Sequence, residues 1–269
     1  MRRSIVILVL LVVGLLVLPA SLLAQENYPE VLGTASDDTI EFPSEVPTGY
    51  VNVIFDNTRS EAAYSPVIAR INDDVTLEEV LAAVGSEDDL AVLSLVTLYG
   101  GIEIAPGESE SYISEFTPGE YVLFDDCEFC DDSEIISFVV SDSEMVEQTP
   151  PESDVTLALV DFAFGVPAQI ATGPQVWHIH NFGEQWHHAV IFQVDEGTTT
   201  LEARNALMSE EAPPYIPVWG WLPSGPGTQS WVTIDLAPGT YVISCFLPDL
   251  NGDFSPHMTH GMIQVFVVE

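Results

Sequence analysis

The stretch from Gly239 to Val268, GTYVISCFLPDLNGDFSPHMTHGMIQVFVV, decides how the rest of the chain is read. It opens as a strand, because Tyr241, Ile243 and Cys245 alternate onto one face. Pro248, Asp249, Asn251, Gly252 and Asp253 then force a loop. Pro256-His257 and Gly261-Met262 follow, and a second apolar strand begins at once. Cysteine, histidine and methionine are soft-to-borderline metal ligands, and here one loop brings all three together. A second histidine would have to come from elsewhere, and His187-His188 offers one.

Working outward, the same pattern occurs earlier in the chain. FTPGEYVLFDD (116–126) matches LAPGTYVISCF (236–246), which sets Asp125 opposite Cys245. EIISFVV (134–140) matches GMIQVFVV (261–268), read with Ile135 opposite Met262. SPVIARI (65–71) matches HAVIFQV (188–194), with Ser65 or Tyr64 opposite His188 or His187. Thr76 and Glu79 form a capping box ahead of the stripe Leu77, Val80, Leu81 and Val84, which predicts a helix over 76–84. TTTLEARNAL (198–207) stands in the same place in the second copy. Short alternating strands with regular turn signals predict an all-β protein. Two copies predict two tandem β-sandwiches, each with a short helical excursion. All six histidines (178, 180, 187, 188, 257 and 260) lie in the second copy. That segregation points to one functional copy and one without the site.

Residues 1–24 combine Arg2 and Arg3, the apolar run Ile5–Leu18 and small residues up to Ala24, the three-part pattern of a secretory signal. Cleavage there yields a secreted, periplasmic or cell-surface protein. Retention would leave an N-terminal anchor, since 5–24 is long enough to span a bilayer. Residues 25–38 read as a lead-in, 39–140 as the first copy, 141–154 as an acidic Pro-containing linker and 155–269 as the second copy.

Beyond the signal there are three arginines, no lysine and all 42 acidic residues, a formal charge of −39. Such a chain repels nucleic acid and anionic membranes. The excess reads either as a solvated surface or as a docking face for a cationic redox partner. Acidic residues number 29 in 25–150 and 13 in 151–269, so most lie in the half without histidines.

Export implies an oxidising environment. Cys127 and Cys130 are close enough to pair, and a structural disulfide is expected there rather than a redox CxxC, which needs a helix N-terminus. Cys245 is left over, either as a metal thiolate or as an inert buried thiol. Asp125, Asp126, Asp131 and Asp132 surround the CxxC, but no ordered loop motif for a hard cation accompanies them. His178, His180 and the tryptophans 186, 219, 221 and 231 are expected to be packing or surface residues.

A copper ion cycling between two oxidation states needs ligands suited to both, and two histidines, a cysteine and a distant methionine meet that need. Asn181-x-Gly183…His187, with Gly239-x-Tyr241-x-x-x-Cys245…Pro256-His257-x-x-x-Gly261-Met262, resembles the cupredoxins, the plastocyanin-like single-copper proteins. The resemblance covers 155–269 directly, and 39–140 through the repeat. It implies Greek-key sandwiches and one type 1 copper held by His187, Cys245, His257 and Met262, with His188 as the alternative to His187. It further implies a single-electron carrier, not an enzyme, because a copper with its ligands filled has no open position for substrate. The alternative is a metal-free binding or surface-interaction module, or a copper carrier without redox work. The sequence departs from the family at the eleven residues Phe246–Pro256 between cysteine and histidine, where a shorter loop is usual.

Overall fold

The computed structural model describes residues 28–84, 91–125, 135–141, 148–209 and 215–269. Among them, the first copy forms β1 (Glu30–Ala35), β2 (Ile40–Glu41), β3 (Glu45–Pro47), β4 (Gly49–Asn57), β5 (Pro66–Ile71), helix α1 (Leu77–Val84), a 3₁₀ turn (Ala91–Ser94), β6 (Val96–Leu98), β7 (Ser109–Phe116), β8 (Gly119–Asp125) and β9 (Ile136–Ser141). The second forms β10 (Val155–Val160), β11 (Ala163–Gly165), β12 (Gln169–Ile170), β13 (Gly173–Asn181), β14 (His187–Val194), helix α2 (Thr200–Leu207), β15 (Pro217–Ser224), β16 (Gln229–Leu236), β17 (Gly239–Ser244), the single turn α3 (His257–His260) and β18 (Ile263–Val268). The all-β class expected from the sequence is the one observed.

Both helices sit where the sequence sets them. Thr76 Oγ1 accepts from Glu79 N–H while the Glu79 carboxylate accepts from Thr76 N–H, and Thr199 and Glu202 form the same reciprocal cap on α2.

Each copy supplies its own five-stranded sheet, β3-β9-β8-β5-β6 in the first and β12-β18-β17-β14-β15 in the second. The opposing sheet is shared. Its eight strands run β11-β10-β13-β16-β7-β4-β1-β2, so the copies join edge to edge through β16 and β7. Ser230 pairs with Ser114, Trp231 with Ile113 and Val232 with Tyr112. Phe116 faces Gly49 in one copy as Leu236 faces Gly173 in the other, which makes Tyr112 and Val232 equivalent positions. They pair with each other, so a local pseudo-twofold axis passes between them.

The seam is sealed twice more. Leu222 N–H donates to Gly101 O at 2.9 Å and Gly225 N–H to Leu98 O at 2.7 Å. Trp221 packs edge-on against Tyr112 of the other copy, with ring centroids 5.3 Å apart. Gly100, at φ 75°, lies so close to the Trp221 ring that a Cβ there would sit 2.4 Å from it. One apolar core, with Phe55, Tyr112, Trp177, Trp221 and Phe266 among its members, runs through both copies. A shared sheet abolishes two exposed edges that separate sandwiches would have to protect.

Strand register also tests the internal alignment. Pro66 faces Asp125 and Val190 faces Ser244, while Tyr121 and Tyr241 each donate a hydroxyl bond to the carbonyl four residues upstream, Thr117 O and Ala237 O. Asp125 and Cys245 are therefore equivalent, as the sequence match has it, and Tyr64 stands in the place of His187. One pairing needs correcting. Tyr121 faces Phe138 and Tyr241 faces Phe266, so Ile135 corresponds to Ile263 and not to Met262. GMIQVFVV is one residue longer than EIISFVV, and the strand ladder absorbs the difference at its start.

The signal segment 1–24, the Cys127–Cys130 pair and residues 142–147 of the linker lie outside the described residues. No helix among the described residues is long and apolar enough to cross a membrane.

Candidate metal centre

Four chain segments meet at one end of the second copy. β13 ends at Asn181, whose side chain organises the turn into β14. Its Oδ1 accepts from Gly183 N–H at 2.8 Å, and its Nδ2 donates to Gln185 O at 2.9 Å and Ser224 O at 2.8 Å. That turn delivers His187 at the first position of β14, facing inward and fully buried.

Cys245 follows β17 directly. Its N–H donates to Met262 O at 3.1 Å, and its carbonyl accepts from Met258 N–H at 2.9 Å. His257 opens α3, donates its N–H to Leu247 O at 2.8 Å and accepts at its carbonyl from Met262 N–H at 3.1 Å. These backbone bonds lock the cysteine, the second histidine and the methionine into one framework.

The long loop does not disturb it. Pro248 and Pro256 form an isolated bridge, and Asp249 N–H donates to Ser255 O at 2.9 Å. Residues 248–256 thus close into a lobe whose neck leaves Leu247 bonded directly to His257. Gln185 pins the lobe, donating to Asp249 Oδ1 at 3.0 Å and accepting from Leu250 N–H at 3.1 Å. His260, at the end of α3, reaches back to the lobe, 3.2 Å from Asp253 Oδ1 and 3.8 Å from Asp249 Oδ2, and Asp253 Oδ1 also accepts from Ser255 N–H.

Three ligand atoms converge. His187 Nδ1 lies 3.1 Å from His257 Nδ1, and Cys245 Sγ lies 3.5 Å from His257 Nδ1. All three are within 4.8 Å of one another, and His187, Cys245 and His257 are at most 1% exposed. Donors held about 2.0–2.3 Å from one ion in a trigonal plane stand roughly 3.5–3.8 Å apart. Cys245 Sγ and His257 Nδ1, at 3.5 Å, stand at that spacing, whereas the two imidazole Nδ1 atoms, at 3.1 Å and within hydrogen-bond reach, would move apart to take an ion between them. Met262 is fully buried in the same apolar cluster as Cys245.

The charge states suit ligation. His187 Nε2 lies 2.6 Å from Asp161 Oδ1. A carboxylate there holds the ring proton on Nε2, leaving the Nδ1 lone pair aimed into the site. Burial disfavours charge on Asp161, but hydrogen bonds from Glu184 N–H, the His187 ring and Gln185 N–H outweigh it and keep its pKa below the ordinary range. Burial lowers the pKa of His187 against the pull of Asp161. Burial and the neighbouring His187 lower that of His257 to about 4. Both imidazoles are therefore neutral at pH 7. Burial pushes the Cys245 thiol up to about 11, although the backbone amides of His188 and Leu247 favour the thiolate. Without a cation beside it, this sulfur keeps its proton.

His188 points to the other face of β14. Its Nε2 accepts from Phe246 N–H at 2.7 Å, and it is not among the converging groups. His178 stacks on Trp231 with centroids 4.3 Å apart and rings within 4° of parallel, so it packs rather than ligates. Trp221 and Trp231 both pack at the seam between the copies.

Asp161 and Phe162 escaped the sequence reading. Phe162 lies edge-on to His257, centroids 4.9 Å apart, and also covers His260. The repeat carries a signal for Asp161. Ala35 pairs with Asn57 as Leu159 pairs with Asn181, which makes Asp37 its counterpart, and Asp37 likewise accepts from the turn, at Ser60 N–H.

The same comparison explains the site's absence from the first copy. Asn57 Oδ1 accepts from Arg59 N–H as Asn181 Oδ1 accepts from Gly183 N–H, so Arg59 stands where the second copy has glycine. The Arg59 guanidinium reaches Asp125 at 2.5 Å and lies over the Tyr64 ring. A buried side-chain cation fills the place where the second copy converges its ligand atoms. Gly183 must stay bare, because a Cβ there would fall 2.3 Å from Asp161 Oδ1 and 2.6 Å from His187 Nε2.

Paired β-sheets with three segments that bring His187, Cys245 and His257 together are what the sequence resemblance to cupredoxins implies. No protein-family model matches the chain, and no curated protein does. Among solved structures it is similar to dithionite-reduced auracyanin from Roseiflexus castenholzii, 25% identical over 42% of this chain and 94% of that one, TM-score 0.29. Auracyanin A from Chloroflexus aurantiacus, described as a blue copper protein, is 17% identical over 43% and 98%, TM-score 0.28. A multicopper oxidase is 13% identical over 89% of this chain and 88% of that one, TM-score 0.25. Overlaps this loose carry no argument about activity.

Proposed function

We propose that this chain is an exported protein that binds one type 1 copper through His187, Cys245, His257 and Met262 and carries single electrons. The convergence of two imidazole Nδ1 atoms and one thiol sulfur in a buried pocket, in the second copy alone, carries the reading. Copper bound there would supply a centre that gains and loses one electron. The chain's own part is to hold the ligands. Asp161 fixes the His187 tautomer, the Met258 and Met262 backbone bonds fix Cys245, and Phe162 with the 248–256 lobe keeps water from His257.

The proposed set of two histidines, a cysteine and a methionine would leave no position for an outside ligand, which supports a carrier rather than an enzyme. The acidic surplus supports a redox partner with a cationic face, and the apolar, basic-started segment 1–24 supports export.

Copper titration of the full secreted chain tests this reading. One Cu(II) per chain and an intense absorption toward the red are expected, with the absorption lost in Cys245→Ser. A chain that takes up no stoichiometric copper and stays colourless would sink it and leave a metal-free interaction module.

A further inference from the structure

The seam between the copies contains an apolar cavity of about 290 Å³. Val67, Leu98 and Phe124 of the first copy line one side, and Trp186, Leu247 and Leu250 of the second line the other. Leu247 and Leu250 belong to the extension between Cys245 and His257, so the extra residues form a wall of this cavity. Gln185 holds that wall in place through Asp249 and Leu250.

We infer that this cavity is a binding site for a small neutral ring compound, independent of any metal. The lining selects the class. No described lining residue carries a charge, and the Gln185 amide is already engaged at both ends. A charged ligand would shed its hydration here with nothing to replace it. An anion would meet in addition the field of a chain of formal charge −37. Phe124 and Trp186 put two aromatic rings in the lining, which favours an aromatic partner over an aliphatic one. The volume lies at the lower end of the range for small-molecule sites, about 300–1,000 Å³, and suits two or three rings. The position joins the cavity to the candidate centre, because Trp186 is the chain neighbour of His187 and the Leu247 carbonyl holds His257 N–H at 2.8 Å.

The test uses two probes with one ring skeleton, N-phenyl-1-naphthylamine and its sulfonate, 1-anilinonaphthalene-8-sulfonate, titrated by fluorescence into the full secreted chain with and without copper. The neutral probe is expected to bind saturably, one per chain, and the sulfonate at least 10-fold more weakly. Leu93→Trp and Leu250→Trp, which fill the cavity from opposite walls, are expected each to weaken the neutral probe at least 10-fold. Should one variant misfold, the other and the probe pair still decide. Non-saturable binding, equal affinity for the sulfonate, or unchanged affinity in a folded filled variant would overturn the inference. Copper uptake is read separately by absorption. A chain that binds copper but not the probe defeats this inference alone, and one that binds the probe but not copper defeats the copper reading alone.

Discussion

Arg59 Nη1 stands 2.5 Å from Asp125 Oδ2, and Asp125 occupies in the first copy the strand position that Cys245 occupies in the second. An internal ion pair thus stands at the point of the fold where the second copy gathers His187, Cys245 and His257. Both partners are almost fully buried, with side chains 10% and 2% exposed. Removing one partner of such a pair leaves the other without its counter-charge. Arg59→Ala is expected to lower unfolding free energy by about 3 kcal/mol. Because the copies share a sheet, urea unfolding should remain one transition at a lower midpoint, while copper uptake at the second copy is unchanged. A separate early transition would show that the shared sheet does not couple the copies.

Gly183 is the counterpart of Arg59, and its lack of a side chain makes room for the His187–Asp161 pair. Gly183→Ala forces those two side chains apart or shifts the turn. Overpacking of this kind costs about 1–3 kcal/mol. The variant should fold with a reduced thermal midpoint and bind copper at least 10-fold more weakly than the parent. Unchanged affinity would mean that the turn yields without moving His187.

The parts of this arrangement legible in the sequence are those set by local pattern. Alternating apolar residues give the strands, Thr-x-x-Glu gives both helix starts, and the paired Pro-Gly-x-Tyr turns reveal the repeat. Cys245, His257 and Met262 are readable because one loop carries all three. Asp161 is not, because it reaches His187 only through the parallel pairing of β10 with β13 and a turn 26 residues away in sequence. The shared sheet is equally hidden, since β7 and β16 look like ordinary edge strands until they meet. The long loop looks disruptive in sequence because nothing local shows that Pro248 and Pro256 close its neck.

Asp161 acts on the centre only through His187, so its substitution separates positioning from ligation. Asp161→Asn keeps one acceptor oxygen of the two, so it can serve either Glu184 N–H, bound at Oδ2, or Gln185 N–H and the His187 ring, bound at Oδ1, and it loses the charge that holds the proton on His187 Nε2. Removing such a partner costs about 10–100-fold in metal affinity. Copper affinity should fall by that factor with stoichiometry kept at one, and Asp161→Glu should restore part of it. A wild-type affinity in Asp161→Asn would assign the carboxylate to the turn alone.

Copper uptake at pH 7 should release about one proton per ion. The thiol, at about 11, carries a proton that the metal must displace, whereas His257, at about 4, is already neutral and has a ring nitrogen free to ligate without releasing one. Calorimetry in two buffers of different ionisation enthalpy measures the number directly. Release near two would mean that a ligand imidazole is protonated before the metal arrives.

Stability of the metal-free chain should fall on mild acidification. His188 and His257 are both lowered to about 4 by burial and by neighbouring imidazoles, against about 6.5 in an unfolded chain. The folded value is the lower one, so between pH 6.5 and 4 the unfolded state binds more protons than the folded. Stability therefore drops as pH falls through that window and levels off below it. Each ring contributes roughly 2 kcal/mol between pH 7 and pH 5, so the loss should be on the order of 4 kcal/mol, read from urea midpoints. The acidic surplus works the other way, since protonating carboxylates relieves self-repulsion, so the diagnostic quantity is the difference between the parent and His188→Gln. That variant keeps an acceptor for Phe246 N–H, removes one titrating ring and should show a shallower slope. Parallel slopes in the two proteins would remove His188 from the account of acid sensitivity.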